Sequence, residues 1–129
     1  MIMKYLGIDW GEKRIGLAIG DSGSKLALPF GVAASLKEVL KVVKAQDIEK
    51  VVIGEPKSMS GQGDLAEAFN YFLDKLKKNL NIDIELIDER LSSKAADSLM
   101  GSKKEKASRD AIAAMIILQS YLDKNYANI

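Results

Sequence analysis

The chain has 129 residues, 47% hydrophobic and 29% charged, with 19 basic side chains against 18 acidic ones and neither cysteine nor histidine. That length suits one domain, expected over residues 1–129, and the two missing residue types exclude disulfides, thiolate nucleophiles, zinc ribbons, iron–sulfur clusters, imidazole bases and His-ligated metals. Chemistry is left to carboxylates, lysine, arginine, hydroxyls and backbone groups, and any metal to a hard, oxygen-ligated ion such as Mg2+ or Mn2+.

In chain order, Tyr5 to Ile8 reads as a strand running into Asp9, Trp10 to Lys13 as a turn, and Ile15 to Ile19 as a second strand. Leu26 to Val32 is a third, and Pro29 assigns it to a sheet edge because proline cannot donate to a ladder. Ser35 and Glu38 have capping-box spacing, and Leu36, Val39, Leu40 and Val43 follow at helical period. Val51 to Ile53 is a short continuous apolar run, as expected of a central strand buried on both faces.

After a loop from Lys57 to Gly63, residues Leu65, Phe69, Phe72, Leu73, Leu76 and Leu80 form the apolar stripe of a long helix. Ile82 to Ile87 is the next strand. A short helix is expected from Ser92 or Ser93, and a last one from Ser108 through Leu122. The order β-β-β-α-β-α-β-α-α implies an α/β fold, a mixed five-stranded sheet flanked by helices. The longest unbroken apolar run, Ala111 to Leu118, has eight residues, whereas a bilayer span needs roughly 20. With Lys4, Asp9 and Glu12 near the start there is no apolar signal segment, so no membrane association and a cytoplasmic location are expected.

Acidic residues fall at element ends. Asp9 closes the first strand, Glu55 a central one, Asp88 and Glu89 the last, and Asp110 is expected in the first turn of the final helix. In open α/β sheets the carboxyl ends of strands border the ligand crevice, so acids exported there converge. Two carboxylates about 4 Å apart repel by roughly 4 kcal/mol at an effective dielectric near 20. A divalent ion relieves that repulsion, and metal-assisted phosphodiester hydrolysis suits a chain with carboxylates and no imidazole. Each acid alone also has a structural reading: Asp9 in a hairpin turn, Asp110 on a helix dipole, Glu89 paired with Arg90, Glu55 solvated before Pro56.

Basic residues complete the pattern. Between Arg90 and Arg109 lie six positive side chains against two negative ones, a net charge of +4 in a nearly neutral chain. Such a stretch is either a solvated loop or a phosphate contact of the salt-sensitive kind.

Four blocks then carry a family resemblance: Asp9-Trp10-Gly11-Glu12-Lys13-Arg14-Ile15-Gly16-Leu17-Ala18, Val52-Ile53-Gly54-Glu55-Pro56-Lys57-Ser58-Met59-Ser60-Gly61, Ile87-Asp88-Glu89-Arg90-Leu91-Ser92-Ser93, and Arg109-Asp110-Ala111-Ile112-Ala113-Ala114 with Ile117-Leu118. Together, in this order, they resemble the YqgF/RuvX family, described as Holliday-junction resolvases and as pre-16S ribosomal RNA nucleases with an RNase H-like fold. The resemblance implies that Asp9, Glu89 and Asp110 are catalytic and hold Mg2+ or Mn2+, and that Lys13, Arg14, Arg90 and Ser92 contact substrate. Where the family usually has an apolar residue between the matched Gly54 and Pro56, this chain has Glu55. Related resolvases take an acid from the end of that strand, so Glu55 stands either as an extra metal ligand or as a departure from the pattern.

The resulting expectation is a metal-dependent nuclease acting on structured nucleic acid, RNA in preference to DNA. Its implied task is processing the 5' end of pre-16S ribosomal RNA, with a ribosome precursor as partner. The alternatives are a Holliday-junction resolvase and a non-catalytic nucleic-acid or ribosome-binding module. Both monomer and homodimer remain open, junction cleavage requiring paired sites and hence a symmetric dimer. An actin-like ATPase, which opens with a similar first block, needs two such domains.

Overall fold

A computed structural model describes residues 2–55, 63–88 and 106–126. Five strands form one sheet in the order β3-β2-β1-β4-β5: β1 (Lys4–Asp9), β2 (Ile15–Asp21), β3 (Ala27–Ala33), β4 (Lys50–Glu55) and β5 (Asp83–Asp88). The first three strands run as an antiparallel meander, while β4 lies parallel to both β1 and β5. Helices α1 (Leu36–Ala45) and α2 (Gly63–Asn79) lie in the connections that parallel pairing demands, and α3 (Lys106–Tyr126) follows β5. The expected short helix near Ser92 lies outside the described residues.

Alternation along the central strands sorts the core into two layers. Leu6, Ile8, Ile15, Leu17, Val51 and Ile53 pack with Val39 and Val43 of α1 and Phe69, Phe72 and Leu76 of α2. On the opposite face Tyr5, Ala18, Ala27 and Val52 pack with Ala114, Ile117, Leu118, Tyr121 and Leu122 of α3. Val51, Val52 and Ile53 are fully buried, as a central parallel strand requires. Each large side chain so buried contributes about 1.5–3 kcal/mol before chain entropy is counted.

The expectation for Pro29 holds, since β3 is a sheet edge. There the pairing shifts from Leu17↔Gly31 to Ala18↔Pro29, so Phe30 is the extra residue of a bulge. A bulge and a proline together discourage another strand from adding to this edge.

Helix α3 lies unusually close to the sheet because its floor is made of glycine. A Cβ on Gly7 would sit 2.7 Å from Leu118 Cβ and 2.9 Å from the Ala114 carbonyl oxygen. Further along, Gln119 ties the helix to the start of β3, accepting from Ala27 N at 2.9 Å and donating to Lys25 O at 3.0 Å. Among the described residues no helix is long and apolar enough to cross a membrane.

The start of α1 follows the capping pattern with one variation. Ser35 Oγ accepts from Glu38 N at 3.4 Å, and the Glu38 carboxylate reaches back to Ala34 N at 2.8 Å, one residue earlier than in the usual reciprocal box. Because the serine bond is long and exposed, Ser35→Ala is expected to cost only about 0.5–1 kcal/mol. Thermal denaturation should show a drop of roughly 2–6 °C.

Candidate functional site

Strand alternation decides which way each candidate faces. Tyr5 packs toward α3, Leu6 and Ile8 toward α1 and α2, and Gly7 lies beneath Leu118 of α3. The period of two turns Asp9, partly buried at the end of β1, toward α3. Trp10 then turns back to the other layer, its ring edge-on to Phe69 at 5.5 Å and 6.4 Å from Phe72. This aromatic contact anchors the residue after Asp9 to α2 and holds the strand end in place.

Gly16 is the register partner of Asp9 across the hairpin. A Cβ at Gly16 would overlap the Asp110 carbonyl oxygen and come within 2.5 Å of its carbon. The backbone of α3 at Asp110 therefore rests directly on the strand residue paired with Asp9. Two acid-bearing positions from opposite ends of the sequence are thereby placed on the same side of the sheet, and the absent side chain of Gly16 is what permits it.

Asp110 also makes a close ion pair. Arg14, in the turn between β1 and β2, donates from Nε to Asp110 Oδ2 at 2.7 Å, with the arginine side chain 42% exposed and the aspartate 21%. At that distance the hydrogen bond is charge-assisted. Lys13 beside it is exposed.

One expectation about Asp110 is corrected. α3 begins by Lys106, and its first turn contains no acid, so Asp110 is in the second turn. Lysine and alanine extend a helix readily, carrying it upstream of the serine read as its start. Because the helix dipole acts mainly within the first turn, dipole stabilisation does not account for this residue.

Of the remaining acids, Glu55 faces away from these two. Glu55 is exposed at the end of β4, where Val51 and Ile53 point to the α1/α2 layer and Val52 to α3. The same alternation assigns Glu55 to the α1/α2 side, away from Asp9 and Asp110. Its register partner is Asp88 at the end of β5. Glu89, Arg90 and Ser92, the loop over 56–62 and most of the basic stretch lie outside the described residues. Among the described residues no group of three acidic side chains is close enough to hold a metal.

Sequence reading missed the positioning roles of Gly16 and Trp10 and the pairing of Arg14 with Asp110. A partial signal was present for the first: Gly16, Ala18 and Gly20 fall at one parity on β2, leaving that face almost without side chains. No local pattern announces the other two, because both are contacts between distant elements.

A family model described as "RuvX: Holliday junction resolvase" matches residues 3–124. A protein of Chloroflexus aurantiacus named "Putative pre-16S rRNA nuclease" is 37% identical over 135 residues, covering 95% of this chain and 88% of its own. One of the same name from Bacillus cereus is 36% identical over 136 residues, covering 95% and 99%. Among solved structures, Thermus thermophilus RuvC in complex with a Holliday junction superposes with a TM-score of 0.64 at 18% identity, over 95% of this chain and 96% of that one. Fowlpox virus resolvase with Holliday junction DNA gives 0.64 at 16% identity, over 96% and 99%. At such identities the two structures establish the RNase H-like fold and nothing finer.

Proposed function

The chain belongs to the RuvX family, and from that premise we propose that it is a divalent-metal-dependent nuclease that processes the 5' end of pre-16S ribosomal RNA in the cytoplasm. The observation that supports the proposal is the seating of the Asp110 backbone on Gly16, the register partner of Asp9, on the side of the sheet toward which Asp9 is turned. The names of the relatives support RNA as the substrate.

A hard metal ion suits these residues. The donors are carboxylate oxygens, and one of them already takes a cation, the Arg14 guanidinium on Asp110 Oδ2. Asp9 and Asp110 would hold Mg2+ or Mn2+, with Glu89 as the proposed third ligand. When bound, the ion supplies Lewis-acid stabilisation of the phosphoryl oxygens and lowers the pKa of the attacking water. Asp9, held by the β1 pairing and the Trp10 anchor, presents its carboxylate from a rigid strand end. Lys13, Arg14, Arg90 and Ser92 would bind the phosphate backbone, and the whole chain over 1–129 would act as one domain.

Junction resolution is a second reading, favoured by the family description and by fold neighbours solved with junction DNA. A panel of precursor 16S RNA, single-stranded RNA and four-way DNA junctions, each with Mg2+ and with Mn2+, separates the two. Specific cleavage of the precursor by a monomer supports the RNA reading; symmetric junction cleavage by a dimer replaces it. Binding without cleavage of any substrate leaves a non-catalytic module.

Affinity should also depend on salt. With about three phosphate contacts from Lys13, Arg14 and Arg90, binding to a DNA duplex should weaken roughly 40-fold between about 50 and 200 mM salt. A flat fluorescence-anisotropy salt series would contradict backbone binding by these residues.

A further inference from the structure

We propose that Arg14 couples metal binding to phosphate binding: it neutralises Asp110 when no divalent ion is held and turns to a substrate phosphate when one is. The inference rests on the metal-dependent reading above and adds a regulatory role for one residue of the hairpin turn.

Arg14 reaches Asp110 across 96 residues of sequence, and the contact is a single-point one, Nε to Oδ2 at 2.7 Å. A guanidinium grips an anion most firmly through a bidentate pair of N–H donors, so a phosphate that takes the planar fork in that way can draw Arg14 from its single bond to Asp110. With its side chain 42% exposed, Arg14 can offer that fork to a phosphate arriving from solvent. An exposed ion pair of this kind adds little to fold stability, so its position on a candidate ligand asks for another explanation.

Electrostatics supplies one. Asp110 is seated on Gly16, the register partner of Asp9, so negative charge gathers at this end of the sheet and favours a counter-charge. Arg14 provides that counter-charge from inside the chain. The same oxygen cannot serve the guanidinium and a divalent ion equally well, because the two cations repel each other. Arg14 therefore competes with metal for Asp110, and Asp110 competes with phosphate for Arg14.

Occupying either partner frees the other. Metal binding releases the guanidinium for a phosphate, and a phosphate on Arg14 clears Asp110 for metal. The two ligands consequently raise each other's affinity by the same factor, as linkage requires. The free protein would hold metal weakly and assemble its site fully only on nucleic acid.

The test is Mn2+ titration followed by electron paramagnetic resonance, on the full chain as wild type, Arg14→Gln, Lys13→Gln and Asp9→Asn, with and without a four-way DNA junction. Circular dichroism melts establish that each variant is folded. Without DNA, Arg14→Gln is expected to bind Mn2+ about three- to fivefold more tightly than wild type, the range an exposed pair can contribute. Lys13→Gln, which removes a neighbouring charge that does not touch Asp110, should change affinity less than about twofold. The junction should tighten Mn2+ binding to wild type and leave Arg14→Gln unaffected. Equal affinities of Arg14→Gln and Lys13→Gln, or a junction effect that survives in Arg14→Gln, overturn the coupling alone. Undiminished Mn2+ binding by Asp9→Asn, or none by wild type, overturns the metal reading itself and the coupling with it.

Discussion

Asp9→Asn is expected to reduce metal-dependent cleavage on the order of 10^3-fold while leaving the melting temperature within a few degrees of wild type. The amide has nearly the same shape as the carboxylate, so the end of β1, its pairing with Gly16 and the Trp10 anchor on Phe69 persist. What is lost is one negative charge at the proposed cation site. A metal supplies several kcal/mol of transition-state stabilisation, and each 1.36 kcal/mol is about tenfold in rate.

If the two acids hold one ion as proposed, Asp110→Asn should fall comparably and the double variant little further, because two ligands of one ion act as a unit and their losses do not add. Single-turnover cleavage of precursor 16S RNA in Mn2+ measures all three. Wild-type rates in both single variants would place the chemistry elsewhere.

Gly16→Ala is expected to destabilise the fold by about 3 kcal/mol and to lower the melting temperature by roughly 10 °C. Its new methyl would collide with the Asp110 carbonyl, and the nearest atoms are all helix backbone, so no rotamer change relieves the clash. Either α3 lifts from β2 or the hairpin bends, and both move Asp110 away from Asp9. Cleavage should therefore fall even below the unfolding temperature. Gly31→Ala is the matched control: a Cβ there meets nothing within 4 Å, so thermal stability should hold. Equal melting temperatures for the two variants would show that α3 does not need the glycine floor.

Much of the architecture was legible because its signals are local. The apolar run Val51 to Ile53 marks a strand buried on both faces, Pro29 marks an edge, and Ser35 with Glu38 marks a helix start. Each depends only on neighbouring residues and on the fixed periods of helix and strand. The boundary of α3 was less legible, since lysine and alanine prolong a helix with no sharp stop. That small displacement mattered, because it takes Asp110 out of the first turn and removes a purely helical explanation for it.

The sequence by itself therefore determined the chain of elements, the carboxylate chemistry left by the absence of histidine and cysteine, and the acids that close those elements. Tertiary structure alone decided which of them share a face of the sheet. Strand register and alternation place Asp9 toward α3 and Glu55 on the other side, and the glycine floor lets Asp110 settle beside the Asp9 and Gly16 pair. Arg14 meets Asp110 across 96 residues for the same reason. Local periods say which face of an element is apolar, but the neighbour that covers that face, and how closely it approaches, depends on packing between segments far apart in the chain.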